Sequence, residues 1–269
     1  MRTQILFRKS LAEEDEYNVC KQMFGSNVKE QRTHCRNSSV IICRYSCLPY
    51  YKELEEDLKQ NDCRLINSYK QHKWIADYKY YDILKHYMSK SWTDEDIYQA
   101  DKETKFIVKG KTNSKKVSWK TLFAPSRTDA VILAADLKQD SLIGSQDIIY
   151  REYVELENFG YDCTGIPIAN EWRFFCWFDK ILTYGYYWSN FPEIQPEVPK
   201  QVLELAEELT KIVGKRVNFY VLDIAKTKKG DPILIEINDG QMSGPSNCSL
   251  VELYRGLQDA TKHIRWIPI

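Results

Sequence analysis

Phe219-Tyr220-Val221-Leu222-Asp223-Ile224-Ala225 runs through a polar turn at residues 227–231 into Ile233-Leu234-Ile235-Glu236-Ile237-Asn238-Asp239. Both runs read as apolar strands, and the short turn pairs them as a hairpin. Each carries polar groups where an apolar residue is expected: Asp223 in the first, Glu236 and Asn238 in the second. Glu236 and Asn238 are two apart, so on a strand they share a face. Hairpin pairing sets Asp223 beside them. One reading is a half-exposed hairpin whose polar face meets water. The neighbours Val221, Leu222, Ile224, Ile233, Leu234, Ile235 and Ile237 argue instead for strands buried on both faces, where an unpaired carboxylate costs several kcal/mol. Buried acids usually have a cation partner, and a three-oxygen cluster suits magnesium beneath a nucleotide's phosphates.

The 269 residues suffice for one large domain or two small ones. No window approaches the ~20 apolar residues of a membrane span. The N-terminal run is a strand pattern cut by charge rather than a signal peptide. Eight cysteines contain no CxxC pair, and Cys43 and Cys47 lack a second pair to complete a zinc site. Free thiols and a cytoplasmic location are expected. Lysine plus arginine and aspartate plus glutamate both number 38, which gives no general case for nucleic-acid binding. One local run departs from that balance: Lys105, Lys109, Lys111, Lys115, Lys116 and Lys120, with no acid after Glu103. It is either a solvated loop or a loop that meets phosphates.

Upstream, the order is β-α-β-α-β-α. Strands are expected at 4–8, 39–44 and 64–67, with helices at 12–23, 49–60 and 70–88. That order implies a small parallel sheet with helices packed on it. The polar, acidic segment 89–102 is taken as the junction between an N-terminal domain, 1–90, and a second domain, 91–269. Downstream, strands are expected at 105–109, 147–154, 171–178 and 181–188, and helices at 127–138, 197–212 and 250–263, with Gly214 as a C-cap. Adjacent hairpins make this second part α+β with a largely antiparallel sheet. No internal repeat is present.

Lys109 ends an apolar strand and Gly110 follows it, so a lysine and a close-approaching backbone can meet a phosphate. Gly110-Lys111-Thr112 looks like the tail of a P-loop, but that pattern needs glycine at Lys105 and a loop where this chain has a strand. Arg173, among bulky apolar residues, is either held against a planar anion or snorkels from an edge strand. The strand end Arg151-Glu152-Tyr153-Val154 can offer backbone groups to an adenine edge. His34, His72, His86 and His263 are scattered without a triad pattern and are expected at the surface. The aromatic runs at 78–81 and 184–188 are read as core and groove lining, with Tyr186, Trp188 and Asn190 near a substrate groove.

The order of these parts resembles the ATP-grasp superfamily: a small α/β domain, then Lys109, Arg151-Glu152-Tyr153-Val154, Glu171-x-Arg173, Asp223 and Glu236-x-Asn238. It looks closest to the divergent clade containing the assembly factor of eukaryotic initiation factor 2 and related viral and bacterial proteins. The resemblance covers nearly the whole chain. It implies an ATP-grasp fold preceded by an α/β pre-ATP-grasp domain. Lys109, with help from Lys111, would contact the phosphates of ATP. Arg151, Glu152, Tyr153 and Val154 would receive adenine, and Arg173 would stabilise the transferring γ-phosphate. Asp223, Glu236 and Asn238 would bind Mg2+. The glycine-rich loop of many such enzymes is replaced here by lysines. The implied activity joins a carboxylate to an amine, with protein or peptide substrates, through an acylphosphate. Two other readings share the site: an ATP-binding assembly factor whose turnover is incidental, and a phosphotransferase or ligase acting on nucleic acid. The stretch 241–247, just past the metal strand, is the expected wall of the acceptor site.

Overall fold

The structure, a computed structural model, describes residues 3–8, 14–36, 39–141 and 143–262. The expected helix start at Ala12, and His263, lie outside them. The chain begins with β1 (Thr3–Leu6), α1 (Glu14–Phe24), β2 (Val28–Lys29), β3 (Val40–Cys43), α2 (Tyr51–Gln60) and β4 (Arg64–Leu65). The strands form a parallel sheet in the order β2-β1-β3-β4. β3 is Val-Ile-Ile-Cys and buried throughout, as a strand covered on both faces must be.

The helix expected over 70–88 breaks. α3 (Tyr69–Ala76) stops at Asp77, Tyr78 takes a left-handed φ of 62°, and a short α4 (Tyr81–Leu84) follows. The cause is tertiary. Tyr78 and Tyr80 are buried against each other edge to face, and the Tyr78 hydroxyl meets Ser91 and Arg151. A continuous helix could not point both rings inward.

A second sheet takes β5 (Ser91–Trp92), β6 (Phe106–Gly110), β7 (Phe123–Ala124) and β8 (Ile148–Glu152) in the order β5-β8-β6-β7, all antiparallel, with α5 (Arg127–Leu137) across one face. The segment read as a structureless junction therefore supplies an edge strand, and Trp92, Ile97 and Ala100 belong to this core. Strand alternation sorts the residues. Phe106, Val108, Ile148 and Tyr150 pack towards α5, which leaves Ile107, Lys109, Ile149 and Arg151 on the opposite face.

After the hairpin β9 (Asn158–Tyr161) and β10 (Pro167–Ala169), which the sequence reading missed, a third sheet forms. It contains β11 (Glu171–Trp177), β12 (Lys180–Tyr186), β13 (Phe219–Lys226) and β14 (Pro232–Asp239) in the order β12-β11-β13-β14, all antiparallel. α6 (Lys200–Val213) covers one face, meeting Trp172, Phe174, Cys176, Tyr220, Leu222 and Ile224. α7 (Leu250–Thr261) and the first sheet cover half of the other face, meeting Phe175, Trp177, Phe219 and Val221. The uncovered half of that face carries Glu171, Arg173, Asp223, Glu236 and Asn238. All eight cysteines are free, and no described helix is long and apolar enough to cross a membrane.

Candidate functional site

Register brings the charged residues together. On β11, β13 and β14, Arg173 faces Asp223 and Asp223 faces Glu236. The ladder slips between Asp223 and Ile224, so β14 carries an extra residue, Ile235, immediately before Glu236. A bulge at this point bends the strand and re-aims the following side chain. The hairpin turn closes with Thr227 N–H donating to Asp231 O, and with Gly230 at φ 103°, which a side chain would strain.

The Arg173 guanidinium donates to both oxygens of Asp223 at 2.9 and 2.8 Å, and to Gly244 O at 2.9 Å. Asp223 has no exposed surface. Lys109 reaches across from the second sheet to an ion pair with Glu236. Asn238 lies between the acids, its amide donating to Glu236 at 3.0 Å and to Asp223 at 3.3 Å. An amide's two ends are set by its partners, so rotating it presents Oδ1 to a cation in the same place. Burial works to raise the carboxyl of Glu236, but Lys109, Lys116 and Asn238 outweigh it and hold it well below the usual range. Glu171 goes the other way. Burial, with Asp223 and Glu236 nearby, pushes it up to about 7 against the pull of Lys116 and Arg173.

Two cavities meet at this cluster. The first, about 240 Å³, lies between the second and third sheets. Ile107, Leu122, Ile166, Ile233 and Ile235 form an apolar slot, bordered by Arg151, Glu152, Tyr153 and Val154. Lys109, Lys116, Arg151 and Glu236 form its charged end. The second, about 820 Å³, is lined by Asn238, Asp239, His72, Lys73, Lys111 and Asp147 among others. Glu236 thus borders one cavity and Asn238 the other. Met242 and Ser243 of the stretch 241–247 border the second cavity, whereas Gln241 is fully buried and bonded to the Tyr51 hydroxyl.

Lys111, grouped with Lys109 in the sequence reading, lies on the second cavity in an ion pair with Asp147 at 2.5 Å. The lysine that reaches the first cavity is Lys116. It donates to the Tyr187 hydroxyl at 2.7 Å, and its ammonium lies 4.5 Å from the centre of that ring. Arg173 lies over the same ring, 4.8 Å from its centre. Arg151 donates to the Tyr78 hydroxyl at 3.3 Å, and its buried Nε has no partner. Among the described residues neither Lys116 nor Arg151 has a carboxylate in salt-bridge contact. Arg151 is a buried cation held by a phenol and Lys116 an exposed one held by another, and both are poised for an anion. Lys116 is one of six similar lysines in sequence, so only its tertiary position distinguishes it. His72 also departs from expectation: it is buried against Asp239.

Among the described residues no cluster of three or more His, Cys, Asp or Glu side chains could hold a metal. The present set is two carboxylates and one amide, all hard oxygen donors. It fits magnesium, which takes few protein ligands and keeps several waters.

Solved structures with the same architecture include the D-cycloserine synthetase DcsG, at a TM-score of 0.60 and 12% identity, covering 97% of this chain and 99% of that one. The ATP-grasp ligase PsnB, complexed with minimal precursor, Mg and ADP, aligns at 0.53 and 11% identity over 96% and 98%. The D-alanine–D-alanine ligase of Helicobacter pylori aligns at 0.58 and 11% identity over the full length of both chains. These likenesses establish the ATP-grasp fold. No curated protein shows significant sequence similarity to the chain. The sequence pattern of the ATP-grasp domain, R2K clade family 3, matches residues 97–257, more than half of the chain, and the chain therefore belongs to that family.

Proposed function

We propose that this protein is an ATP- and magnesium-dependent ligase that joins a carboxylate to an amine through an acylphosphate. The observation that carries the proposal is the pair of cavities on either side of this cluster, one bordered by Glu236 and the other by Asn238. One has an apolar slot leading to cations. The other is larger, more open and polar. A planar base fits the first between Ile107 and Ile235, with Glu152, Tyr153 and Val154 at its edge. The triphosphate then extends towards Lys109, Lys116 and Arg151.

The ion pairs make the exchange balanced in charge. With nucleotide bound, Lys109 and Arg173 would turn from carboxylates to phosphate oxygens, and Glu236, Asp223 and Asn238 would be the residues to hold magnesium. Magnesium supplies neutralisation of the charge on the phosphates. Arg173, paired with Asp223 beside Glu236 and Asn238, can then stabilise a γ-phosphoryl group moving towards a carboxylate in the second cavity. PsnB was solved with a minimal precursor, Mg and ADP, and separately with the precursor peptide PsnA2 and AMPPNP. By analogy we propose a peptide or protein as one substrate, entering past the exposed Leu48 of the second cavity. Within the superfamily we place the chain beside the clade of the eukaryotic initiation factor 2 assembly factor, on the order of Lys109, Glu171-x-Arg173, Asp223 and Glu236-x-Asn238.

Calorimetry with ATP tests the nucleotide site. Wild type should bind only with magnesium, and the Asp223→Ala, Glu236→Ala double variant should lose at least about tenfold in affinity, about 1.4 kcal/mol. Circular dichroism checks that the variant folds. Wild type that binds neither ATP nor GTP would overturn the proposal.

A further inference from the structure

His72 has no part in the site as described so far, yet it borders the second cavity beside Asn238. Its imidazole is fixed on two sides. The ring stacks on Tyr51, with centres 4.4 Å apart and planes 15° from parallel. Nδ1 lies 3.3 Å from Asp239 Oδ2. Asp239 is itself held by the Asn67 amide at 2.8 Å, the Gln241 N–H at 3.0 Å and the Tyr51 hydroxyl at 3.3 Å. A carboxylate oxygen accepts, so in the neutral ring the proton is on Nδ1 and the lone pair on Nε2. Among the described residues Nε2 has no hydrogen-bond partner. The other charged groups on this cavity are already paired, Lys73 with Asp77 and Lys111 with Asp147.

We propose that His72 is the catalytic base of the second cavity, accepting at Nε2 the proton of a primary amine substrate. This rests on the ligase reading above. The amine nitrogen attacks the carbonyl carbon of the acylphosphate, and the C–O bond to phosphate breaks. Phosphate leaves with the electron pair, and the proton released by the new amide nitrogen passes to His72 Nε2. Asp239 positions the ring and keeps the lone pair towards the amine. A bidentate carboxylate–imidazole arrangement is not required, since one bond to Nδ1 and a stacked ring fix the orientation.

Two measurements test the assignment. The first is nitrogen NMR of the imidazole at alkaline pH, where the ring is neutral. A proton on Nδ1 is expected, and a proton on Nε2 would overturn the assignment. The second compares wild type with His72→Gln in ADP release. The probes are a mixture of the twenty amino acids with short peptides, alone and with hydroxylamine, which is unprotonated at neutral pH and needs no base. His72→Gln should lose at least about tenfold in turnover with the mixture alone, while hydroxamate formation and ATP affinity stay at the wild-type level. Retention of both activities overturns the base role. Loss of both, with ATP affinity intact, marks a structural residue and overturns it too. ATP binding by wild type without ADP release from any probe removes the ligase reading, and the base falls with it.

Discussion

Asp223 is fully buried, and both its oxygens are taken by Arg173. Removing one partner strands the other charge without water. Arg173→Met is expected to destabilise the protein by about 3–5 kcal/mol, read from urea unfolding. A loss of less than about 1 kcal/mol would mean that Asp223 already has access to solvent. Glu171 gives a signal of opposite sense. Its carboxyl, raised to about 7 by burial and by Asp223 and Glu236, binds a proton in the folded protein at pH values where the unfolded chain has lost it. Stability therefore falls as pH rises from the ordinary glutamate range to about 7. Glu171→Gln should remove that fall and gain on wild type by up to about 3 kcal/mol above it. Urea midpoints across pH measure the difference. Glu236 opposes this trend: its lowered carboxyl contributes stability above the ordinary glutamate range, lost as pH falls.

The strands bring these residues into line only because neighbouring segments approach very closely. At Gly185 on β12, opposite Arg173, an added Cβ would lie 2.3 Å from the Asn247 carbonyl carbon and 2.4 Å from Cys248 N. Both are backbone atoms and cannot rotate away. Gly185→Ala is expected to cost about 1–3 kcal/mol, whereas Gly244→Ala, with nothing within 4 Å, should be neutral in the same thermal unfolding. Gly214 is required for the same reason, since an added Cβ would lie 2.3 Å from Phe178 O, rather than for a left-handed C-cap. In the loop after β6, the exposed Lys116 is held by the hydroxyl and ring of Tyr187, with no acid in salt-bridge contact among the described residues. Lys116→Met should weaken ATP binding at least about tenfold, about 1.4 kcal/mol, with little change in stability, since the side chain it replaces is exposed. Calorimetry and urea unfolding together separate the two effects.

At the scale of the whole molecule, the first cavity, proposed above for ATP, has one wall on the second sheet and the other on the third. A ligand that touches Lys109 and Glu236 together ties these sheets to each other. ATP with magnesium, at about 100 times its dissociation constant, should stabilise the protein by about 2.7 kcal/mol and raise Tm by roughly 5–10 °C. Magnesium without ATP should give far less, because both carboxylates then remain paired with Lys109 and Arg173. Equal shifts with and without ATP in a thermal scan would place the metal elsewhere.

The sequence by itself determined the hairpin and its polar residues. Period two puts Glu236 and Asn238 on one face, but regular pairing out of the turn would set Asp223 opposite Ile235; it is the bulge at Ile235, a feature of the folded sheet, that brings Asp223 level with Glu236. The parallel order of β1, β3 and β4 was equally legible, since short helices alternate there with apolar runs. What the sequence could not decide was which lysine of a lysine-rich loop reaches the first cavity, or that His72 is buried. It also could not show that the helix over 70–88 breaks at Tyr78 or that Trp92 joins an edge strand. Each of those depends on a partner far away in the chain: Tyr187 for Lys116, Asp239 for His72, Arg151 for Tyr78 and Tyr150 for Trp92. Local periodicity records which face of an element is apolar. It carries no record of what lies opposite, and it is the opposite surface that supplies the charge, the aromatic ring or the backbone edge that fixes the final position.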